Sequence, residues 1–264
     1  AALIVARGGQ LFADGTAACP ITFTFEADPL DGSVSYDTRG QWGGVIVLGD
    51  ATTNLPTGEG QIEGVPADND RAKYGGNNDE DNSGVLRYVS IRHGGTQLGA
   101  ANEINGLTLG GVGSGTIIEH VEVVSNDDDG IEFFGGSVNV RYASVMFCGD
   151  DSFDWDQGYH GKGQFWFTIQ GQDAGDRGGE LDGDDSPDVT ADGMPFALPT
   201  VANWTVIGRG SNVGNQGLLF RAGTGGHVSN AIIANITEGI EIEDKQDPSA
   251  VSYTHLTLPT RYRV

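Results

Sequence analysis

One short sequence word recurs along the chain at a nearly constant interval, and this recurrence constrains the fold more than any other feature. The word is a small residue, usually glycine, followed by an apolar, a variable and a second apolar residue. A repeat of 22–24 residues is too short for two strands and a helix, but it holds two or three strands joined by tight turns. Stacked coils of this kind bury a continuous core that a single coil lacks. The word occurs in residues 105–109, 129–133, 151–155, 216–220 and 238–242; the first three copies start 24 and 22 residues apart, and the last two 22 apart.

A second series of apolar segments lies between the copies of this word. Strand side chains alternate, so Ile131 and Phe133 are expected to point inward while their neighbours point outward. The pattern predicts an all-β fold, a right-handed parallel β-helix (a solenoid) with coils of about 22–24 residues. A β-sandwich is the main alternative, but it does not require the same word at a fixed interval. The second series comprises residues 116–124, 138–147, 164–170, 202–208 and 227–235.

Two stretches interrupt the repeat, and both are rich in Gly and Asp. Residues 52–82 and 171–200 are therefore predicted to be long loops that project from a single β-helix domain spanning residues 1–250. Long loops on a rigid scaffold often carry binding residues. The sequence contains no apolar run long enough to predict a transmembrane segment.

The charge of the chain restricts its partners. It has 37 Asp and Glu residues against 14 Lys and Arg residues, which gives a formal net charge of −23 at pH 7. Such a surface repels nucleic acid phosphates, so we expect no nucleic acid partner. It attracts cations, and carboxylate oxygens are the ligands that calcium prefers. The 43 glycines fit a fold with many tight turns, because glycine tolerates backbone conformations with positive φ.

The C-terminal segment differs in composition from the rest of the chain. Residues 251–264 contain no Gly, Asp or Glu. The segment SYTHLTLPT, residues 252–260, is similar to the translation of a common sequencing adapter. We therefore predict that residues 251–264 are a non-native tail and that the native protein continues with a different sequence beyond Ala250.

Several segments together carry a family resemblance. They are WGGVIVLGDA (42–51), NDDDGIEFFGGSVNVRY (126–142), DDSFDWDQGYHGKGQFWF (150–167) and GDRGG (175–179). Over most of residues 1–245 the chain resembles bacterial secreted or outer-membrane-associated β-helix proteins of the pectin-lyase-like superfamily, many of them labelled lipoproteins. The resemblance implies the fold and an extracellular or outer-membrane-associated location. It implies no particular activity.

Two acidic segments one coil apart form the strongest candidate site. Residues 126–134 and 148–156 carry carboxylates at matching positions, for example Glu132 and Asp154. Coils of a β-helix stack about 4.8 Å apart, so aligned carboxylates repel one another unless a cation or a shared proton neutralises them. Calcium binds oxygen ligands of this kind and is the predicted cofactor. The predicted metal ligands are Asp128, Asp129, Glu132, Asp150, Asp151 and Asp154.

These carboxylates admit three interpretations. The first is structural, because aspartates in turns cap backbone N–H groups. The second is a secreted or cell-surface protein whose calcium-stabilised turns bind a glycan or a surface partner. The third is catalysis within residues 128–162, either by a calcium-dependent polysaccharide lyase with a lysine base or by a glycoside hydrolase with paired acids. The catalytic candidates are Lys162, Asp151 and Asp154.

Residues close to the acidic segments are candidates for substrate binding. Aromatic rings have flat apolar faces on which a sugar can pack; Trp155 lies within the second acidic segment and Tyr159 follows it. A histidine and an arginine add hydrogen-bond donors. The predicted substrate-binding residues are Trp155, Tyr159, His160 and Arg177, and the predicted partner is a polysaccharide or a cell-surface partner.

Overall fold

The computed structural model describes residues 1–66, 68–96, 104–183, 193–213 and 215–243, and it confirms the predicted all-β, parallel β-helix fold. Within these residues, the coils run through an eight-stranded sheet, which we call sheet A, and a nine-stranded sheet, sheet B, with parallel pairing in both. The strands of sheet A are β1 (Leu3–Val5), β4 (Val45–Leu48), β8 (Leu107–Gly110), β10 (Ile131–Phe134), β12 (Phe153–Asp156), β14 (Gly179–Asp182), β16 (Gln216–Arg221) and β19 (Glu238–Ile242). Those of sheet B are β2 (Leu11–Asp14), β3 (Ile21–Phe23), β7 (Gly84–Arg92), β9 (Ile117–Val124), β11 (Asn139–Met146), β13 (Lys162–Ile169), β15 (Thr200–Ile207), β17 (His227–Ser229) and β18 (Ile232–Ala234).

The core lies between the two sheets and is rich in aromatic rings. The inward orientation predicted for Ile131 and Phe133 is confirmed, because both are fully buried. In the middle coils, the rings of Phe153 and Trp166 stack with 4.3 Å between their centroids, and Trp166 meets Trp204 edge to face at 5.2 Å. Such pairs stabilise the core beyond the burial of their apolar area.

Each long strand of sheet B bends at one residue with a left-handed backbone. The φ angle is 48° at Tyr88, 55° at His120, 56° at Tyr142, 59° at Phe165 and 61° at Asn203. A left-handed backbone costs a non-glycine residue about 1–2 kcal/mol. Here the four rings stack in a line, with centroids 4.4, 4.4 and 5.0 Å apart, and this stacking offsets part of that cost.

The small residue of the repeated word has a packing explanation. A Cβ atom on Gly130 would lie 2.2 Å from Val145 Cγ1 and 2.6 Å from the Ser152 carbonyl oxygen. Gly106 has the same relation to Val123, at 2.3 Å. The word therefore begins with a small residue because sheet B packs its interior side chains against that point of the turn.

Replacing Gly130 with Ala is expected to lower the free energy of unfolding by about 1–3 kcal/mol, because the added methyl group overpacks a core that has no space for it. Chemical denaturation measures this change. The matched control is Gly239→Ala, which alters the same position of the word where no atom lies within 4 Å of the new Cβ. If both variants unfold at the wild-type denaturant concentration, the packing explanation is wrong.

The first predicted loop is packed against the β-helix. Residues 52–82 contain a short antiparallel pair, β5 (Gly60–Gln61) and β6 (Lys73–Tyr74), and a 3₁₀ helix (Asp70–Ala72). Its apolar residues cover part of the outer face of sheet A, at β4 and the end of β10, in a cluster of Ile46, Leu48, Ile62, Ala72, Tyr74, Ile104 and Phe134. The prediction of a projecting loop is therefore wrong here, because the segment buries its own apolar side chains.

The second predicted loop contains a further strand of the stack. Within residues 171–200, β14 pairs with β12 and β16, so the prediction of a continuous loop is wrong at this point. The strand was missed because Gly179 occupies an inward position that is apolar in other coils. A Cβ atom there would lie 2.7 Å from the Trp204 ring, so the large indole requires glycine opposite it.

Two further predictions concern the termini and membranes. The segment 251–264, predicted to be a non-native tail, lies outside the described residues. No α-helix in the described part of the chain has the length and apolar character needed to cross a membrane.

Candidate functional site

The two acidic segments meet at the corner of the coil that leads from sheet B into sheet A. Asp129 Oδ1 accepts a hydrogen bond of 2.8 Å from the Asp151 backbone N–H, one coil away. The Asp151 carboxylate accepts in the same way from the backbone N–H of Arg177. These two aspartates thus tie successive coils together, as the structural interpretation of the sequence predicts. We call this region the acidic corner: Asp128, Asp129, Asp150, Asp151 and Asp176.

A row of carboxylates continues from the acidic corner onto the outer face of sheet A. Glu132, Asp154 and Glu180 lie side by side in β10, β12 and β14, and we call them the carboxylate row. Glu132 accepts a hydrogen bond from the side-chain amide of Asn105. Asp154 Oδ1 is buried and has no hydrogen-bond partner among the described residues. Leaving a buried carboxylate oxygen without a hydrogen-bond partner costs free energy.

Carboxylate oxygens converge at three points in the described part of the chain. In each group of three residues, one ligand atom from each lies within 4.8 Å of the other two. Every residue predicted from the sequence as a metal ligand belongs to at least one group, and Asp176 is an addition. The groups are Asp128, Asp129 and Asp150; Asp129, Glu132 and Asp154; and Asp150, Asp151 and Asp176.

Burial and mutual repulsion shift the ionisation of these groups in one direction. Desolvation raises the pKa of Glu132 well above its usual range, and the charge of Asp154 raises it further. The pKa of Asp154 is raised well above its usual range by desolvation and by the neighbouring Asp156 and Glu180. Desolvation acts in the same way on the pKa of Asp129, reinforced by Asp151 and Asp154. Without a cation, these carboxyl groups therefore retain protons at a higher pH than isolated carboxyls do.

Two arginines supply counter-charges at one end of the site. Arg177 forms ion pairs with Asp151 (3.2 Å), Asp176 (2.9 Å) and Glu180 (2.6 Å). Arg221, in β16, pairs with Glu180 at 2.7 Å and with Asp182 at 2.8 Å. Glu132 and Asp154 lie on adjacent coils, in β10 and β12, whereas Arg177 precedes β14 and Arg221 lies in β16.

The arrangement can be compared with known protein families. A family model described as a pectate-lyase-like beta helix domain matches residues 1–261. The chain belongs to this family. Its membership makes it a carbohydrate-related β-helix protein and supports the pectin-lyase-like superfamily inferred from the sequence. No curated protein gives a significant match to the chain.

In this pectate-lyase-like protein, Lys162 lies away from the acidic corner. It begins β13 in sheet B, with Asn139 and Thr200 as its neighbours across the sheet. Asp151 precedes β12, whereas Lys162 comes after β12 and the turn that follows it, so the two residues lie at opposite ends of that strand. The prediction of Lys162 as the base of the acidic site is wrong, because residues close in sequence are separated here by one full side of the coil.

The predicted aromatic substrate contacts belong to the core. Trp155 and Tyr159 are fully buried; the Trp155 indole N–H donates to the Thr224 hydroxyl, and the Tyr159 hydroxyl donates to the Val138 carbonyl. Neither ring has a free face for a sugar. The prediction is wrong for both, because strand alternation places Trp155 inward beside Asp154, and the turn folds Tyr159 under Phe133.

The remaining predicted contacts have different positions. His160 Nδ1 lies 2.8 Å from the Gly158 carbonyl oxygen, and its Nε2 lies 3.4 Å from Asp79 Oδ2 in the packed segment 52–82. It therefore belongs to the corner that follows β12 and not to the acidic site. Arg177 lies at the acidic corner, where its guanidinium is engaged by protein carboxylates. Its substrate-binding role stays a prediction.

Several residues of the site were not predicted from the sequence. Glu180 and Asp182 lie in the strand mistaken for loop, and Arg221 lies two coils beyond Asp154. The repeat signal was blurred there, because 26 residues separate Asp154 from Glu180 instead of 22. Counting acidic residues at outward positions of each strand would have found Glu180.

Proposed function

We propose that this protein binds an acidic polysaccharide on the outer face of sheet A through a calcium ion held by Asp129, Glu132 and Asp154. One observation carries the proposal: three carboxylates converge within 4.8 Å, and the buried Asp154 Oδ1 has no hydrogen-bond partner among the described residues. The ion offsets most of the negative charge of the three carboxylates. Because calcium takes about six to eight oxygen ligands, it also has room to coordinate a polysaccharide carboxylate oxygen. Membership of the pectate-lyase-like family supports a carbohydrate ligand.

The donor set fits calcium in its chemistry. All three side chains offer oxygen, which is the ligand type of hard divalent cations, and carboxylates from adjacent coils provide several oxygens in a small volume. Desolvation is the first cause that raises the pKa values of Asp154 and Glu132. The folded protein therefore favours a state in which the charge of these carboxylates is neutralised. A bound cation supplies that neutralisation at neutral pH, where protons are scarce.

A working location outside the cell or at the outer membrane follows from the same proposal. Extracellular calcium modules bind the ion with dissociation constants of about 10⁻⁴–10⁻³ M, and the calcium concentration outside the cell is high enough to occupy sites of this affinity. The net charge of −23 also favours cations over anions at the surface. An exported protein therefore has its site loaded, and the polysaccharide is the partner it meets there.

Calcium is expected to stabilise the wild-type protein and not the Asp154→Asn variant. At a calcium concentration of about 100 times the dissociation constant, the gain in free energy of unfolding is about 2.7 kcal/mol. Thermal unfolding in calcium and in EGTA measures it, and calorimetric titration with polygalacturonate measures calcium-dependent binding. The control is Glu26→Gln, which removes an exposed carboxylate elsewhere and keeps both responses. A wild-type melting temperature that is equal in calcium and EGTA would refute the calcium site.

A glycoside hydrolase is the second candidate, and one observation favours it. Glu132 and Asp154 are neighbours on adjacent coils, and each has a raised pKa, caused first by desolvation, as a general acid requires. Hydrolysis releases new reducing ends from the polysaccharide, whereas binding alone releases none. Loss of that release in Glu132→Gln, with binding intact, would assign catalysis to this pair.

A further inference from the structure

We propose a second carbohydrate-binding surface, a groove on the outer face of sheet B that takes a neutral polysaccharide without calcium. It lies on a different side of the coil from the carboxylate row and shares none of its residues. The groove has a volume of about 420 Å³, which falls within the range of small-ligand sites. Its occupant follows from the chemistry of its two walls and from its charge.

One wall is the line of stacked rings at the bends of sheet B. Tyr88, His120, Tyr142 and Phe165 lie nearly parallel, with angles of 6°, 6° and 9° between successive ring planes. Tyr142 and Phe165 are 41% and 42% exposed. Ring edges carry partial positive charge, so they attract hydroxyl oxygens while the ring carbons pack against C–H groups. A sugar offers both kinds of group at once.

The other wall is a row of hydrogen-bonding side chains. Ser90, Glu122 and Ser144 occupy the same position on three successive coils, which are spaced about 4.8 Å apart. Ser90 Oγ donates to Glu122 Oε1 at 2.6 Å, and Arg92 Nε donates to Ser90 Oγ at 2.6 Å. Ser90 itself is buried, and its two hydrogen bonds hold the partly exposed Glu122 carboxylate and Arg92 guanidinium in fixed positions. The wall therefore presents ordered polar groups to a chain of hydroxyl groups.

The charges of the groove indicate a neutral ligand. Arg92 and Glu122 lie 3.2 Å apart and cancel each other, and both line the groove. The rest of this strongly acidic protein repels an anionic polymer unless a cation bridges them. A neutral polysaccharide meets no such repulsion, and it needs no bridging ion in this groove.

The test uses the full chain and soluble neutral polysaccharides: xyloglucan, galactomannan and a mixed-linkage β-glucan. Affinity electrophoresis and calorimetric titration in EGTA are expected to show binding of at least one of them. Tyr142→Ala is expected to weaken that binding at least ten-fold, because it removes the central exposed ring of the wall. Ser144→Gln fills the opposite wall while keeping every ring, and it is expected to weaken binding as strongly.

The matched control is Phe12→Ala, which removes an aromatic ring that is 68% exposed on the same face of sheet B but does not line the groove. It is expected to keep wild-type affinity. Absence of binding to all three polysaccharides, or equal affinity in wild type, Tyr142→Ala and Ser144→Gln, would overturn the proposal. Asp154→Asn, which tests the calcium site, is expected to leave this binding unchanged, so the two proposals fail or stand separately.

Discussion

Replacing Arg177 with Met is expected to lower the free energy of unfolding at neutral pH by about 3–5 kcal/mol, which is the usual effect of breaking a buried ion pair. The guanidinium pairs with Asp151 and Glu180, whose side chains are 3% and 14% exposed. Methionine keeps much of the apolar stem but leaves both carboxylates without this counter-charge. Denaturant unfolding monitored by tryptophan fluorescence measures the change.

The pH dependence of this loss separates a charge effect from a packing effect. At pH 5 the carboxyl groups that lost their partner can take up protons, so the destabilisation of Arg177→Met is expected to be smaller than at pH 8. Arg141→Met is the control, because Arg141 is 56% exposed and pairs with Glu119 on the surface. Exposed pairs contribute about 0–1 kcal/mol. An equal loss for Arg177→Met at both pH values would show that packing, and not charge, explains it.

In EGTA, the wild-type protein is expected to lose stability as the pH rises above about 4, the range in which unfolded carboxyl groups titrate. Desolvation raises the pKa of Glu132, Asp151 and Asp154 in the folded state, so the native protein binds more protons than the unfolded chain. The stability they contribute is fully present below about pH 4, the range of unfolded carboxyl groups, and is lost as the pH passes through the raised folded values. Each unit by which a pKa is raised corresponds to about 1.4 kcal/mol.

Thermal unfolding at a series of pH values tests this expectation. Asp154→Asn carries a neutral side chain of the same shape, so in EGTA at pH 8 it is expected to be more stable than wild type. Calcium is expected to restore wild-type stability at pH 8, because the ion replaces the lost protons. Hydrogen bonds and ion pairs lower the pKa values of Asp79 and Glu119, so these two residues make the folded state more stable as the pH rises. Both are solvent-accessible, so their contribution to the free energy of unfolding is small. A flat profile in EGTA would contradict the raised pKa values.

The alignment of the acidic residues on adjacent coils could be predicted from the sequence, but the roles of their neighbours could be predicted only in part. Glu132 aligns with Asp154 as predicted, because a side-chain period of two and a coil of 22 residues fix both the face and the neighbour. The alternation rule also implied that Trp155, adjacent to Asp154, points inward. Its assignment to sugar binding overlooked that rule, and the buried ring corrects it.

The error at Lys162 has a different origin. A coil of a β-helix has three sides, and a few residues are enough to carry the chain around a corner. Lys162 is eight residues from Asp154, and this separation crosses the rest of β12 and a tight turn. Sequence proximity in a solenoid therefore says little about proximity in space, whereas a separation of one coil length says a great deal.

The sequence by itself determined the parallel β-helix, the inward and outward faces of its strands, and the alignment of two acidic coils, since all three follow from a local period. Only the tertiary structure decided which carboxylates are tied to backbone N–H groups, which are paired with Arg177 and Arg221, and which oxygen of Asp154 lacks a partner among the described residues. The reason is the variable length of the turns. Glu180 follows Asp154 after 26 residues, and Leu219 follows Glu180 after 39. The strand period carries no information about such insertions, so the neighbours across coils are fixed by how the core packs.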